Sequence, residues 1–259
     1  HFFNGGKRMT RTLLFEWRRL MSVRSTFIIS VLYLGLVGLI AGGPVLFSDW
    51  ENINDPRAAV SWQGLYSTPS FVLCAVMISA VAAQTFGHEY RYGLIRLTLS
   101  EFPNRGRVIA AKTIMLSLYV LVMTFLAWGV LWVIGTIAPA GAMSPEGTAS
   151  PGGSIVPHLW FVPLFSIGYC IFAMSVTLLT RNLPLGITVP LLLAAFIELL
   201  LQSLLGLAKG KLDWIANNLP MSNVQAWLSG QGSEHGIVFA CWVLGAFAIS
   251  SALFINRDA

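Results

Sequence analysis

The residue best placed for chemistry inside a membrane is a single glutamate, Glu198, in the apolar stretch AAFIELLLQSLL. A carboxyl group at that depth costs about 2.5 to 3.5 kcal/mol on insertion scales, so we expect it to face other helices, a cavity or a partner. Gln202 follows one helical turn later and shares its face. The pair can line a polar path or gate, or it can form an interhelical hydrogen bond that stabilises the helices. The sequence leaves both interpretations open.

Other arrangements that support catalysis are missing from the sequence. A nucleotide-binding P-loop reads G-x-x-x-x-G-K-[ST], and the nearest segment, GLAKGKL at 206–212, has the wrong spacing and no hydroxyl residue after the lysine. There is no H-E-x-x-H and no G-x-S-x-G motif. His88 and Glu89 are adjacent, but neighbouring residues on a helix point in different directions. We therefore expect no catalytic residue in this chain and no ATP hydrolysis by it alone.

The composition is that of a membrane protein. Of the 259 residues, 56% are hydrophobic and only 10% are charged, whereas about 25% of the residues of a soluble domain are charged. Six apolar runs are each long enough to cross a hydrocarbon core about 30 Å thick. They cover residues 26–47, 67–86, 108–137, 157–179, 183–205 and 236–255. The sequence therefore predicts an all-α integral membrane protein whose transmembrane domain, residues 26–255, has six helices.

The cysteines and the basic residues follow the same organisation. Cys74, Cys170 and Cys241 all lie inside apolar runs without metal-like spacing, so we expect small buried side chains and no metal site. The net charge of +5 comes from Lys and Arg residues spread along the connecting segments, which argues against a nucleic-acid-binding face. Thirteen of the sixteen Lys and Arg residues fall on one side of the six runs. The positive-inside rule places that side, with both termini and the tail 256–259, in the cytoplasm.

Two segments precede the first run. Residues 1–8 (HFFNGGKR) come before Met9 and are interpreted as a leader or an artificial extension, with an alternative native start as the other interpretation. Residues 9–25 carry apolar residues at three- and four-residue spacing among arginines, which is typical of an amphipathic helix. With Trp17, Arg18 and Arg19 as interfacial anchors, this helix is expected to lie in the inner headgroup layer. The alternative is a helical extension of the first span.

The segment before the last run is too apolar for an ordinary loop and too interrupted to span a membrane. LDWIANNLPMSNVQAWL, at 212–228, has helix-like apolar spacing on both sides of Pro220. A helix that dips into the outer leaflet and returns fits this pattern if its broken backbone is buried in protein or faces water. A pair of amphipathic helices lying on the membrane surface is the alternative.

The most concentrated charged segment is FGHEYRYGLIRLTLSEFPNRGRVIAAK, residues 86–112. Tyr90, Leu94 and Leu97 fall along one face of a predicted short helix, and Pro103 ends the pattern. Apolar side chains surrounded by charge are typical of a helix that docks into a groove of a soluble partner. Because the helix is continuous with two spans, a partner that moves it would move the bundle. The charged residues around this face are Glu89, Arg91 and Arg96. Three further basic residues are expected to hold the base of the third span at the headgroups: Arg105, Arg107 and Lys112.

The chain closely resembles the permease subunits of type-2 ATP-binding-cassette (ABC) exporters over most of residues 9–259. The resemblance rests on three features in the same order: LLFEWRRLMSVRS, GHEYRYGLIRLTLSEFPNRGRVIAAK and LDWIANNLPMSNVQAWL. Family members often read E-x-x-x-G-T in the second of these. This chain has Glu89 and Gly93 but Leu94 in place of the threonine, so no role of that hydroxyl group is carried over.

The resemblance implies that residues 89–99 are the coupling helix, seated in a groove of a separate ATPase subunit. It also implies a re-entrant outer element at 214–227 and an assembly of two permeases, identical or paralogous, with two ATPases that bind ATP and Mg. Such a chain exports a drug, antibiotic, peptide or lipid from the bacterial cytoplasm. The implied ATPase-coupling residues are Glu89, Tyr90, Arg91, Gly93, Leu94, Arg96, Leu97 and Arg181, the last in a smaller second contact. The alternatives are a non-transporting membrane sensor or scaffold and an intramembrane enzyme that uses Glu198.

Overall fold

The computed structural model describes residues 3–47, 69–102, 104–137, 161–207, 213–228 and 232–256. Throughout these ranges the chain forms only helices and the turns that join them. A π-helical turn, Leu193–Ile197, joins the helices Leu183–Leu192 and Glu198–Leu207. In chain order the helices are α1 (Phe3–Ser22), α2 (Arg24–Phe47), α3 (Pro69–Arg91), α4 (Ile95–Glu101), α5 (Arg105–Ile137), α6 (Phe161–Thr180), α7 (Leu183–Leu192), α8 (Glu198–Leu207), α9 (Asp213–Ala216), α10 (Pro220–Leu228) and α11 (Ser233–Asn256).

Three of the described helices are long and apolar enough to cross a membrane: α5 over Arg105–Val130, α6 over Val162–Thr180, and α11. The pair α1 and α2 would make a fourth span if taken together, although the two are bent by 68°. These helices make the chain a multi-pass, membrane-embedded helical protein. Helices also occupy the other predicted runs, since α2, α3 and the α7 and α8 pair lie in them. That all six runs cross the membrane stays a prediction.

The N-terminal helix α1 is a separate element rather than a straight extension of α2. The two helices are interrupted at Val23 and meet at the 68° bend. The face of α1 that is buried against the bundle carries Thr12, Glu16 and Leu20, which recur every four residues as one helical face requires. Since α1 begins at Phe3, it also includes part of the segment 1–8 that the sequence analysis set apart from the fold.

The helices pack around α3 and α6. Helix α3 packs against α2, α6 and α7, and α6 also packs against α11. At Gly186 of α7, an added Cβ atom would lie 2.0 Å from Oγ1 of Thr177 on α6 and 3.3 Å from Ala83 on α3. A residue without a side chain is therefore what allows α7 to reach both neighbours, as small residues do where membrane helices meet. The largest fully buried apolar side chains of this core include Ile78, Phe86, Leu116 and Met174.

Candidate functional site

The predicted docking helix consists of two parts. Residues 89–91 belong to the last turn of α3, and a turn at 92–94 separates them from α4. Gly93 in that turn has φ +67°, in the left-handed region that glycine adopts without steric cost. The expectation of one continuous helix over 89–99 is therefore wrong, because the chain is broken at Gly93 and changes direction there.

The turn and α4 present an exposed surface with both apolar and basic side chains. Ile95 and Thr98 face inward and are buried, whereas Leu97 is 66% and Tyr92 is 64% exposed. We call the exposed set the α4 face; its members are Arg91, Tyr92, Leu94, Arg96 and Leu97, all exposed. The sequence analysis placed Tyr90 on this face. In the structure Tyr90 packs against the core instead, and Tyr92 takes its place.

Arg181 lies beside the same end of α3. It is exposed in the turn between α6 and α7, where its φ of +53° is unusual for a residue other than glycine. Its guanidinium carbon lies 5.8 Å from the centre of the Tyr90 ring, a cation–π arrangement. At this same end of the bundle, Arg105 donates to the carbonyl oxygens of Phe254 and Ile255 at 3.1 and 3.3 Å. The structure thus brings the two predicted contact segments and the end of α11 to one end of the molecule.

Glu89, predicted to contact a partner protein, is instead fully buried. Its Oε1 atom lies 3.0 Å from Nζ of Lys112 on α5 and also accepts a hydrogen bond from Arg19 on α1. Nζ of Lys112 is in turn 2.9 Å from the carboxylate of Glu16 on α1. The carboxylate of Glu89 is therefore not available to a docking partner in this arrangement.

These four residues, Glu16, Arg19, Glu89 and Lys112, form what we call the ion cluster. Its two carboxylates and two cations balance, as buried charges require. Lys112 also donates to the backbone oxygen of Thr85 at 3.2 Å and lies 5.0 Å from the centre of the Phe86 ring. The expected roles of Arg19 and Lys112 at the headgroups are wrong, because both side chains turn into the bundle: Lys112 is buried and Arg19 is only 22% exposed.

One more hydrogen bond connects the ion cluster to the α4 face. Oγ1 of Thr98, on the buried side of α4, donates to Oε1 of Glu89 at 3.2 Å. The cluster therefore joins α1, α3, α4 and α5 through side chains that water hardly reaches. A displacement of α4 must either carry these helices along or break the hydrogen bond of Thr98 to the buried Glu89 carboxylate.

His88 lies beside the cluster, one residue before Glu89, and is half-buried. Burial lowers the pKa of its imidazole, and the positive charges of Arg19 and Arg91 lower it further. Neutral His88 adds no third cation to the cluster near neutral pH.

The predicted interfacial anchors on α1 separate into two groups. Arg18 is exposed and Trp17 is partly exposed, as an anchor at a membrane surface must be, whereas Arg19 belongs to the ion cluster. Sequence reading missed Glu16 and Lys112 as members of a site. The available signal was charge, since Glu16 and Glu89 are carboxylates within strongly basic segments, but it does not distinguish a buried pair from an exposed one.

At the other end of the bundle, Glu198 caps a helix. Its carboxylate oxygens accept the backbone N–H groups of Met221 and Ser222 at 2.6 and 2.9 Å. These are among the N–H groups at the start of α10 that have no partner within the helix, and a carboxylate there also complements the helix dipole. The structure therefore gives Glu198 the stabilising role that the sequence left as one of two interpretations. The side chain of Gln202 lies outside the described part of the chain.

The α10 helix is inserted into the bundle. Met221 and Val224 are buried among Phe165 and Tyr169 of α6 and Phe239 of α11. Asn223 holds the preceding turn, since Nδ2 donates to the carbonyl oxygens of Asn217 and Leu219 at 2.7 and 2.8 Å. Leu219 and Pro220, where α10 begins, are buried, whereas Asn217 and Asn218 in the preceding turn are exposed.

No profile of a known protein family matches the chain, and a search of characterised proteins finds no significant match.

Proposed function

We propose that this chain is the permease subunit of an ATP-driven exporter of the type-2 ABC class. The observation that carries the proposal is the α4 face, an exposed group of apolar and basic side chains fixed to the bundle through the ion cluster. Large apolar side chains exposed together outside a span mark an interaction surface. The resemblance of residues 86–112 to a coupling helix gives that surface its partner, a soluble ATPase subunit.

The coupling contact consists of the residues that a partner can reach. These are the members of the α4 face, with Arg181 as the second contact beside Tyr90. Leu94 and Leu97 would enter an apolar groove of the ATPase, and Arg91 and Arg96 would pair with acidic groups at its rim. Gly93 permits the turn that sets α4 across the end of the bundle, and Glu89 fixes α4 from inside.

The membrane arrangement completes the proposal. Six spans cross the bacterial cytoplasmic membrane, both termini are cytoplasmic, and α9 and α10 form a re-entrant element on the outer side. Two permeases assemble with two ATPases that bind ATP and Mg, and this chain holds no cofactor. The cargo is hydrophobic or amphipathic, such as a drug, antibiotic, peptide or lipid, because the apolar runs offer few charges for a polar solute.

The second candidate function is a membrane sensor or scaffold that holds a soluble partner on the same α4 face. The two functions differ in whether partner binding at the α4 face drives transport. Reversing the charges of Arg91 and Arg96 would abolish partner binding in both cases, but only an exporter would also lose cargo-stimulated ATP hydrolysis and transport.

Site-specific crosslinking in living cells tests which partner occupies the α4 face. A photoreactive amino acid replaces Leu97, which is exposed on α4, and in a matched control it replaces Leu118, which is exposed on the membrane helix α5. The proposal predicts that the probe at 97 captures a soluble protein with a P-loop and that the probe at 118 does not. Capture at 97 of lipid alone, or only of proteins without a P-loop, would contradict it.

A further inference from the structure

An open groove of about 630 Å³ lies between α1 and the end of α4. Leu14 and Phe15 line it from α1, and Phe102 lines it just after α4. The Phe15 and Phe102 rings, 5.8 Å apart, join the two sides. The groove touches the ion cluster only through Arg19, it includes no member of the α4 face, and it has an apolar wall on each side.

One exposed basic and one exposed acidic side chain line this groove. Arg18 and Glu101 both line it and both are exposed. Within the described ranges, neither side chain forms an ion pair or a hydrogen bond. Arg19 also reaches the groove, but its guanidinium is held by Glu89 and by the backbone oxygen of Thr85. A ligand entering the groove therefore meets one available cation and one available carboxylate beside apolar walls.

On α1, the residues beside the groove have the pattern of a helix at a membrane surface. On α1, Leu14 is 57% and Met21 is 61% exposed, and Arg18 lies between them in sequence. A helix with exposed apolar residues next to arginine is typical of one that lies at the boundary of headgroups and acyl chains. The nearest abundant molecules at that depth are phospholipids, which offer both a charged headgroup and an apolar chain.

We propose that the groove binds a phospholipid whose headgroup carries both a phosphate and a primary ammonium, the phosphatidylethanolamine class. The phosphate pairs with the guanidinium of Arg18, whose planar donors suit phosphate oxygens. The ammonium donates to the carboxylate of Glu101, and an acyl chain follows Leu14 and Phe15. A purely anionic headgroup such as phosphatidylglycerol would meet the Glu101 carboxylate unfavourably, and the trimethylated ammonium of phosphatidylcholine has no N–H to donate. This inference does not depend on the proposed ATPase partner.

Native mass spectrometry of the full chain, delipidated in detergent and titrated with each of the three phospholipids, tests the proposal. Phosphatidylethanolamine is expected to bind about fivefold more tightly than the other two, the scale of one favourable charge contact near a membrane surface. Arg18→Gln should weaken the binding of both phosphatidylethanolamine and phosphatidylglycerol about fivefold. Glu101→Gln should remove the preference for phosphatidylethanolamine over phosphatidylglycerol.

Matched controls lie elsewhere on the chain. Arg24→Gln changes an exposed arginine at the start of α2, and Glu234→Gln changes an exposed glutamate at the opposite end of the bundle. Both controls should leave binding within about twofold of wild type, well below the change expected for a contact. Equal binding of phosphatidylglycerol by the wild type, or equal loss in Arg24→Gln, would overturn the proposal. So would a photoreactive probe at position 18 that captures a soluble protein and no phospholipid in native membranes, since the groove would then be a protein contact.

Discussion

Nζ of Lys112 lies 3.0 Å from Oε1 of Glu89, and neither side chain is exposed. Lys112 lies about two turns into α5, and Glu89 lies in the last turn of α3, before the turn to α4. Together with Glu16 and Arg19 they form a cluster of two positive and two negative side chains at one end of the protein, so its net charge is zero. The stability of that end and its response to α4 both depend on this balance.

Removing the charge of Lys112 should destabilise the protein strongly. Lys112→Met leaves two carboxylates with only Arg19, and breaking a buried pair in this way costs about 3 to 5 kcal/mol. The thermal unfolding of the detergent-solubilised chain measures this loss. Arg96→Met, which removes an exposed cation, is the matched control and should change the free energy of unfolding by less than about 0.5 kcal/mol.

The same experiment distinguishes charge balance from simple loss of packing. The double variant Lys112→Met with Glu16→Gln restores neutrality, because Arg19 and Glu89 remain as one pair. It should be more stable than Lys112→Met alone, since no buried carboxylate is left without a counter-charge. Equal stability of the single and double variants would show that the cluster's charges do not govern stability.

Loss of the Thr98 hydroxyl should uncouple α4 from the bundle without removing the docking surface. Thr98→Val keeps the shape of the side chain but deletes the hydrogen bond to Glu89, which costs about 1 kcal/mol of stability. The ATPase should still copurify, while cargo-stimulated ATP hydrolysis falls. Ser100→Ala is the control, because the exposed Ser100 hydroxyl bonds only the carbonyl of Leu97 in its own helix. Parallel loss of ATPase binding in Thr98→Val would assign Thr98 to folding or docking instead.

Glu198→Ala should loosen α10 specifically. Each charge-assisted hydrogen bond to the N–H groups of Met221 and Ser222 contributes about 1.5 to 3 kcal/mol, so loss of both should accelerate amide exchange in 220–228 by about a hundredfold or more. Exchange in α4 should not change. Glu234→Ala, at an exposed position, serves as the control. If Glu198→Ala altered cargo transport with no change of exchange in α10, the residue would line the transport path as the sequence also allowed.

Gly186→Ala tests the close approach of α6 and α7. The new methyl group would lie 2.0 Å from Oγ1 of Thr177, and relief of such overpacking typically costs about 1 to 3 kcal/mol. Gly245→Ala on α11 has no atom within 4 Å of the new methyl group and should be neutral or slightly stabilising. Unfolding midpoints of the two variants give the comparison; a Gly186→Ala protein as stable as wild type would mean that the helices are farther apart than described.

Hydropathy predicts where helices form in this chain because it is a local property of the sequence. The three helices that meet the span criteria, α5, α6 and α11, match predicted runs to within four residues at each end. The bend at Val23 and the start of α10 at Pro220 agree with the amphipathic spacing and with the predicted break at Pro220. These features depend on residues that are close together in the chain, so a single sequence contains them.

The ion cluster could not be predicted in the same way. Lys112 and Glu16 are 96 residues apart, and their contact depends on how α1 and α5 are rotated about their axes, which apolar periodicity fixes only within a broad stripe. Tyr92 lies on the α4 face where the sequence predicted Tyr90, and the cause is related. A single helical period from Glu89 onward predicts Tyr90 on the same face as Leu94 and Leu97. The turn at Gly93 interrupts that period, so residues on either side of it no longer share one helical face.

On the proposed function, ATP hydrolysis on a partner moves cargo through this chain by way of the α4 face. The most direct measurement is ATP-dependent cargo transport in proteoliposomes that contain the chain with the ATPase captured at position 97. Wild type is compared with Leu97→Asp and with the control Leu118→Asn, which changes an exposed residue of α5. We predict that wild type and Leu118→Asn transport cargo with ATP and that Leu97→Asp loses ATPase binding and transport together. Transport that persists in Leu97→Asp, or no ATP-dependent transport in the intact assembly, would contradict the account.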